Sequence, residues 1–292
     1  MALMHLNVYS YYLNSNTDVN IVLPDLPFEG EPEPFYRSGK TYPVLWLLHG
    51  TFGDYTDWIR KSNVERYASD KDLIVVMPSA HNSDYVNWDG FGLGYGAGDY
   101  LVRELMPLVH NWLPASPRRE DNYIAGLSMG GGGAVIQALA HPEKFAGVYC
   151  MSWGAADMRE AVGNASSGVP EPESVFVRRN ALRNRNRLEN AGGLEGYLRS
   201  AQNVWDLTAQ LAEEKDLPKM YFACGGADGC MTETFRNYRK YAEGLHFPAE
   251  FFELPGYDHE WSFWDLCVRD ALARFLPGEE RPLFGQSPTD AG

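Results

Sequence analysis

Short apolar runs alternating with helical stretches limit the folds open to this chain more than any other feature. The runs occupy residues 42–48, 73–77, 122–127, 147–151, 220–224 and 250–254. Runs of this length suit parallel strands buried on both faces. Between them, residues 100–112 place Leu101, Leu105, Leu108, Val109 and Trp112 on one helical face, and residues 131–140 give a second helix stopped near His141 by Pro142. Ahead of this rhythm, residues 5–24 alternate polar and apolar side chains around Asn14-Ser15-Asn16 and read as an antiparallel strand pair. Residues 24–39, rich in Pro, Glu and Gly, read as a surface loop. The expected class is α/β: a mostly parallel, doubly wound sheet with an N-terminal antiparallel pair, whose ligands bind beyond the carboxyl ends of the strands.

Residues 154–200 break the rhythm and contain no convincing strand, so they read as a cap or lid inserted into a single domain spanning 1–292. Within them Arg179, Arg183 and Arg187 recur every four residues and share a helical face. That pattern, part of an Arg-rich segment at 178–187, reads as a solvated face offsetting nearby Glu; an anchor for an anionic substrate group is the alternative. A formal net charge of −14 argues against nucleic-acid binding and against attachment to anionic membranes, because like charges repel and no counterions are released. No uncharged apolar run approaches the ~20 residues that span a bilayer. The N-terminal residues lack the basic and long apolar regions of a secretory signal, so a cytoplasmic location is expected. Cys150, Cys224, Cys230 and Cys267 have no CxxC spacing, and three of them sit inside apolar segments, which fits small buried thiols better than a zinc site or a disulfide framework; a Cys224–Cys230 bridge is the alternative for that pair.

Gly126-Leu127-Ser128-Met129-Gly130 matches G-x-S-x-G, with an apolar run before it and a small-residue helix after it. A serine on so tight a turn has a strained backbone, and small flanking residues let strand and helix pass closely enough to leave its hydroxyl exposed. A serine hydroxyl is a weak nucleophile near neutrality. It needs an imidazole as base, and the imidazole needs a carboxylate to fix its tautomer. His259 follows the run at 250–254 and the Pro255-Gly256 turn, whereas His246 precedes that run. Asp228 lies in a Gly-rich turn just after the run at 220–224; Asp258 is the rival, but a residue adjacent to the histidine seldom sets its carboxylate beneath the same ring. Met129 supplies one oxyanion-hole amide. The second falls to Thr51 or Phe52, in the loop opened by Gly50, with His49 as a structural hydrogen-bonder. Phe52, Trp58 and Trp153 lie near the carboxyl ends of the runs and read as pocket walls.

These motifs together resemble the esterase D-like family of α/β-hydrolases: Leu47-Leu48-His49-Gly50 with Trp58 downstream, Gly126-Leu127-Ser128-Met129-Gly130-Gly131, Asp228 after a run, and His259-Glu260-Trp261-Ser262-Phe263-Trp264-Asp265. Within that family the chain is most similar to bacterial tributyrin and acetyl esterases and to feruloyl esterases. The resemblance implies an α/β-hydrolase fold and hydrolysis of short-chain acyl or hydroxycinnamoyl esters by Ser128, His259 and Asp228, with no cofactor and no metal. The partner it implies is a small-molecule ester. Acyl transfer and S-formylglutathione hydrolysis, known in the same superfamily, remain open, as does a homo-oligomer. A non-catalytic binding scaffold is the least favoured reading, because it would not need all four elements in order.

Overall fold

The computed structural model describes residues 1–165, 175–278 and 280–285, so residues 166–174 of the expected insertion lie outside the described residues. The N-terminal pair forms β1 (Ala2–Ser10) and β2 (Ser15–Leu23), with Ser10 opposite Ser15. In chain order there follow β3 (Val44–Leu48), β4 (Ile74–Pro78), a two-residue ribbon of β5 (Asn87–Trp88) and β6 (Tyr95–Gly96), then β7 (Asn122–Leu127), β8 (Gly147–Met151), β9 (Lys219–Gly225) and β10 (Ala249–Leu254). Eight of them make one sheet in the order β1-β2-β4-β3-β7-β8-β9-β10. β1 and β2 pair antiparallel, β2 meets β4 antiparallel, and every later pairing is parallel.

Strand alternation builds a core on each face of this sheet. Val44, Trp46 and Leu48 of β3 join Leu105, Val109 and Phe235 in one cluster, while Leu45 and Leu47 join Phe263, Val268 and Leu272 in the other. Covering both faces with helices is what permits strands as uniformly apolar as β3 and β4, every residue of which is buried. Register aligns the carboxyl ends: Leu48 pairs with Gly126, Leu127 with Met151 and Leu254 with Gly225. The loops after β3, β7, β9 and β10 therefore leave from the same edge. This mostly parallel sheet with an N-terminal antiparallel pair is an α/β-hydrolase fold. No helix among the described residues is long and apolar enough to cross a membrane.

One expectation fails inside a helix. Residues 100–112 are not a uniform α-helix: a π-helical stretch, Tyr100–Leu105, precedes the α-helix Met106–Trp112. The wider π turn shifts the phase of everything after it. Leu101, Leu105 and Val109 are buried, but Trp112 swings out to 67% exposure.

Candidate active site

Ser128 stands between β7 and the helix Met129–Ala140 at φ 51° and ψ −117°, a strained conformation for a residue with a Cβ. The motif glycines act by absence of volume. A Cβ on Gly130 would lie 2.5 Å from the His49 carbonyl oxygen, and one on Gly126 would collide with the Gly130 backbone. The Ser128 amide donates to the Met151 carbonyl at 2.7 Å, locking the turn onto the neighbouring strand.

His259 lies beyond β10, after a turn in which Gly256 takes φ 84°. Its Nδ1 is 2.7 Å from Oδ2 of Asp228, and its ring meets the Trp264 ring edge-on at 4.9 Å. A carboxylate oxygen only accepts, so Nδ1 carries the proton and Nε2 is left with a free lone pair. Asp228 is fully buried, and its Oδ1 accepts the Cys230 and Met231 amides at 3.0 Å each. Burial by itself raises its carboxyl, but the His259 hydrogen bond and charge together with the two amides outweigh this and hold it below the ordinary carboxylate range. Asp258 accepts the His259 backbone amide at 2.7 Å rather than a ring nitrogen. Ser128 and His259 line one cavity of about 260 Å³ without a direct hydrogen bond between them, a spacing common in ligand-free sites.

The loop after β3 completes the edge. His49 is buried; its Nδ1 lies 2.7 Å from the Gly50 carbonyl, and its Nε2 accepts the Ala80 amide at 3.0 Å. Burial pushes its pKa down, so it is a neutral strut that fixes the loop. Of the two amides left open by the sequence, that of Phe52 is occupied by Asn82 Oδ1 at 2.8 Å. No such partner takes the Thr51 amide among the described residues, nor that of Met129 at the helix N-terminus, where the macrodipole favours negative charge.

The expected pocket walls divide. Phe52 lies open beside the cavity, and Trp153 lines a second cavity of about 280 Å³ that it shares with Ser128. Trp58 does not reach either one. Its Nε1 finds the Leu48 carbonyl at 3.1 Å and its ring abuts Trp261, so it is a 1%-exposed core residue supporting the loop from below. Trp261 and Trp264 take the place expected of it, in the wall beside His259.

The Arg-rich face is only in part the solvated surface that its spacing suggests: Arg179 is exposed, but Arg183 and Arg187 are not. The helix Val175–Asn190 presents Arg183 and Arg187 inward, where both face the carboxylate of Asp84. Arg183 donates from Nη2 to Thr51 Oγ1 at 2.6 Å, Arg187 lies over the Tyr197 ring, and Arg179 stacks on Phe52. The sequence carries a signal for these, the four-residue spacing, but nothing in it links residues 183 and 187 to Asp84. The thiols play no comparable part. All four are free; Cys230 is exposed, and burial pushes Cys224 up to about 12 and also raises the buried Cys150 and Cys267.

A nucleophile turn, an imidazole backed by a buried carboxylate, and two unoccupied amides gathered at one sheet edge are the parts from which acyl-transfer chemistry is built. A family model described as Putative esterase matches residues 10–266. The chain belongs to this esterase family. It is 27% identical over 278 residues to an acetyl esterase of Caldicellulosiruptor saccharolyticus, covering 93% of this chain and 97% of that one. Among solved structures it is similar to a fluorophosphonate-binding serine hydrolase of Staphylococcus aureus, with TM-score 0.74 and 27% identity over 95% of this chain and 99% of the other. An S-formylglutathione hydrolase of the same organism superposes with TM-score 0.72 at 26% identity, over 94% of this chain and 98% of that one.

Proposed function

We propose that this esterase-family hydrolase is a serine carboxylesterase for short-chain acyl esters, with Ser128 as nucleophile, His259 as base and Asp228 as its partner. The 2.7 Å contact between His259 Nδ1 and Asp228 Oδ2, with His259 in the same cavity as Ser128, carries the reading. Ser128 Oγ attacks the ester carbonyl as His259 Nε2 takes its proton, and the Thr51 and Met129 amides hold the oxyanion. Collapse expels the alcohol with that proton. A water, deprotonated by the same nitrogen, then releases the acid and restores Ser128. No step calls for a cofactor. The cavities of about 260 and 280 Å³ beside Ser128 adjoin, sharing Ser128, Asn180, Arg183 and Met231, and the likeness to the acetyl esterase favours acetyl and butyryl groups over hydroxycinnamoyl ones. Trp153 and Phe52 serve as pocket walls, and the helix Val175–Asn190 acts as a cap over them.

A p-nitrophenyl ester series of rising chain length, run beside methyl ferulate and S-formylglutathione, tests the reading. We expect kcat/KM to peak at acetate or butyrate and to be insensitive to chelators. Preference for the thioester, on the likeness to the S-formylglutathione hydrolase, would move the substrate while keeping the residues. Inactivity on every ester, with Ser128 unlabelled by a fluorophosphonate in folded protein, would overturn it.

The acid limb has a defined sign. Because the carboxyl of Asp228 is held low, it stays ionised through mildly acidic pH and adds no second protonation, so log kcat/KM falls with pH with a slope of one. The contribution of this carboxylate to stability is complete above its unfolded pKa of ~3.9 and is lost as pH falls through the lower folded value. A limb of slope two would place a second titrating group in the reaction.

A further inference from the structure

Asp84 is a costly residue with no role in the chemistry above. Its side chain is only 9% exposed, it adopts φ 55°, and Tyr85 after it does the same. Two successive non-glycine residues in the left-handed region are strained, and such strain persists where the surrounding structure enforces it. The strain aims the carboxylate at the inward arginines of the cap, yet the pairing is incomplete. Oδ1 lies 3.6 Å from Arg183 Nε and Oδ2 lies 3.9 Å from Arg187 Nε, both beyond hydrogen-bond length. Oδ2 is buried with no hydrogen-bond partner among the described residues. Buried carboxylate oxygens are almost always satisfied, so one left open marks the place of a missing donor.

The missing donor has a defined location. Asp84, Arg183 and Arg187 line the 280 Å³ cavity that also holds Ser128, together with the amide side chains of Asn184 and Gln202. An acceptor therefore faces guanidinium donors across a space that opens onto the reacting carbonyl. An alkyl or aryl group there would leave both kinds of partner desolvated and unpaired. A carboxylate or phosphate would suit the arginines but would set its charge against Asp84. A hydroxyl group satisfies both, donating to Asp84 and accepting from a guanidinium.

We propose that Asp84, with Arg183 and Arg187, forms a hydroxyl-recognition subsite, so that the enzyme selects esters carrying a hydroxyl group close to the scissile carbonyl. This rests on the assignment of Ser128 as nucleophile. The hydroxyl can belong to the acyl half of the ester, as in a glycolyl group, or to the alcohol half, as in a glyceryl ester.

Two substrate pairs separate the sources: p-nitrophenyl glycolate against p-nitrophenyl acetate, with rates corrected for spontaneous hydrolysis, and glyceryl monoacetate against propyl acetate. Wild-type enzyme is expected to favour the hydroxylated member of one pair by about tenfold or more in kcat/KM, because a site built to bond a hydroxyl discriminates against the analogue lacking it. Asp84→Asn should collapse that ratio toward one, and asparagine tolerates the left-handed backbone. Arg187→Met should lower the same ratio, and because each ratio is internal to one variant, a general loss of activity cancels. Ratios near one for both pairs in the wild type would overturn the subsite, as would a preference that survives both substitutions. The wild-type ratios decide even if a variant does not fold. Failure of the underlying assignment looks different: no ester is hydrolysed and Ser128 resists the fluorophosphonate.

Discussion

Ser128→Ala is expected to lower kcat/KM for p-nitrophenyl acetate by roughly 10⁴- to 10⁶-fold, His259→Ala to do nearly the same, and the double variant to be little worse than either. The non-additivity is the informative part. Once the hydroxyl is gone the imidazole has no proton to take, and once the imidazole is gone the hydroxyl is too weak a nucleophile to attack. What survives is the contribution of binding and of the Thr51 and Met129 amides, which neither substitution touches. Alanine keeps the Cβ of Ser128, so the turn at φ 51° bears no new strain and the variant should melt within a degree or two of the wild type. Single-turnover and steady-state rates of the three variants, measured with purified folded protein, check this. Two losses that multiplied in the double variant would mean that Ser128 and His259 act in separate steps, and the proposed mechanism would fail.

The parts of this protein that local chemistry dictates are legible in the amino-acid sequence alone. β7 and β8 fall at the residues expected from their apolar runs, because a strand buried on both faces is written as a short continuous apolar run, too short for a helix. Ser128, Asp228 and His259 stand out because each follows a strand on a short turn, so chain order maps directly onto the sheet edge. Sequence reading fails where a residue's environment is set by distant neighbours. Loop position alone points Trp58 toward the pocket, yet an indole N–H buried with a carbonyl partner is stable inside the core, and the Leu48 oxygen lies within reach. Trp112 turns outward because of one π-helical stretch that no pattern of apolar residues announces. The arginine face is hidden from the sequence for a similar reason. Four-residue spacing says that Arg183 and Arg187 point the same way, but only the fold says that Asp84, a hundred residues earlier, is what they point at.

The choice of Asp228 over Asp258 as partner of His259 yields the second large effect. Asp228→Asn should lower kcat by ~10⁴-fold while leaving KM within a few-fold, and Asp258→Asn should change kcat less than about fivefold. The asymmetry follows from where each carboxylate directs its oxygens. Oδ2 of Asp228 meets His259 Nδ1 at 2.7 Å, and its other oxygen is held by the Cys230 and Met231 amides, so the carboxylate cannot rotate away. An amide in that position keeps the shape, because its oxygen can still accept those two amides. Its NH₂ then faces Nδ1, which must become an acceptor, and the ring proton moves to Nε2, the nitrogen required as base. The imidazolium formed during attack also loses its buried counter-charge. Oδ1 of Asp258 caps the His259 backbone amide at 2.7 Å, and an asparagine oxygen does that equally well. The same reasoning predicts that the residual activity of Asp228→Asn rises at alkaline pH, where hydroxide can replace the imidazole as base. Parallel pH–rate profiles of the two variants read this out. A severe loss in Asp258→Asn with a mild one in Asp228→Asn would transfer the role to Asp258 and require His259 to turn its ring away from the buried carboxylate.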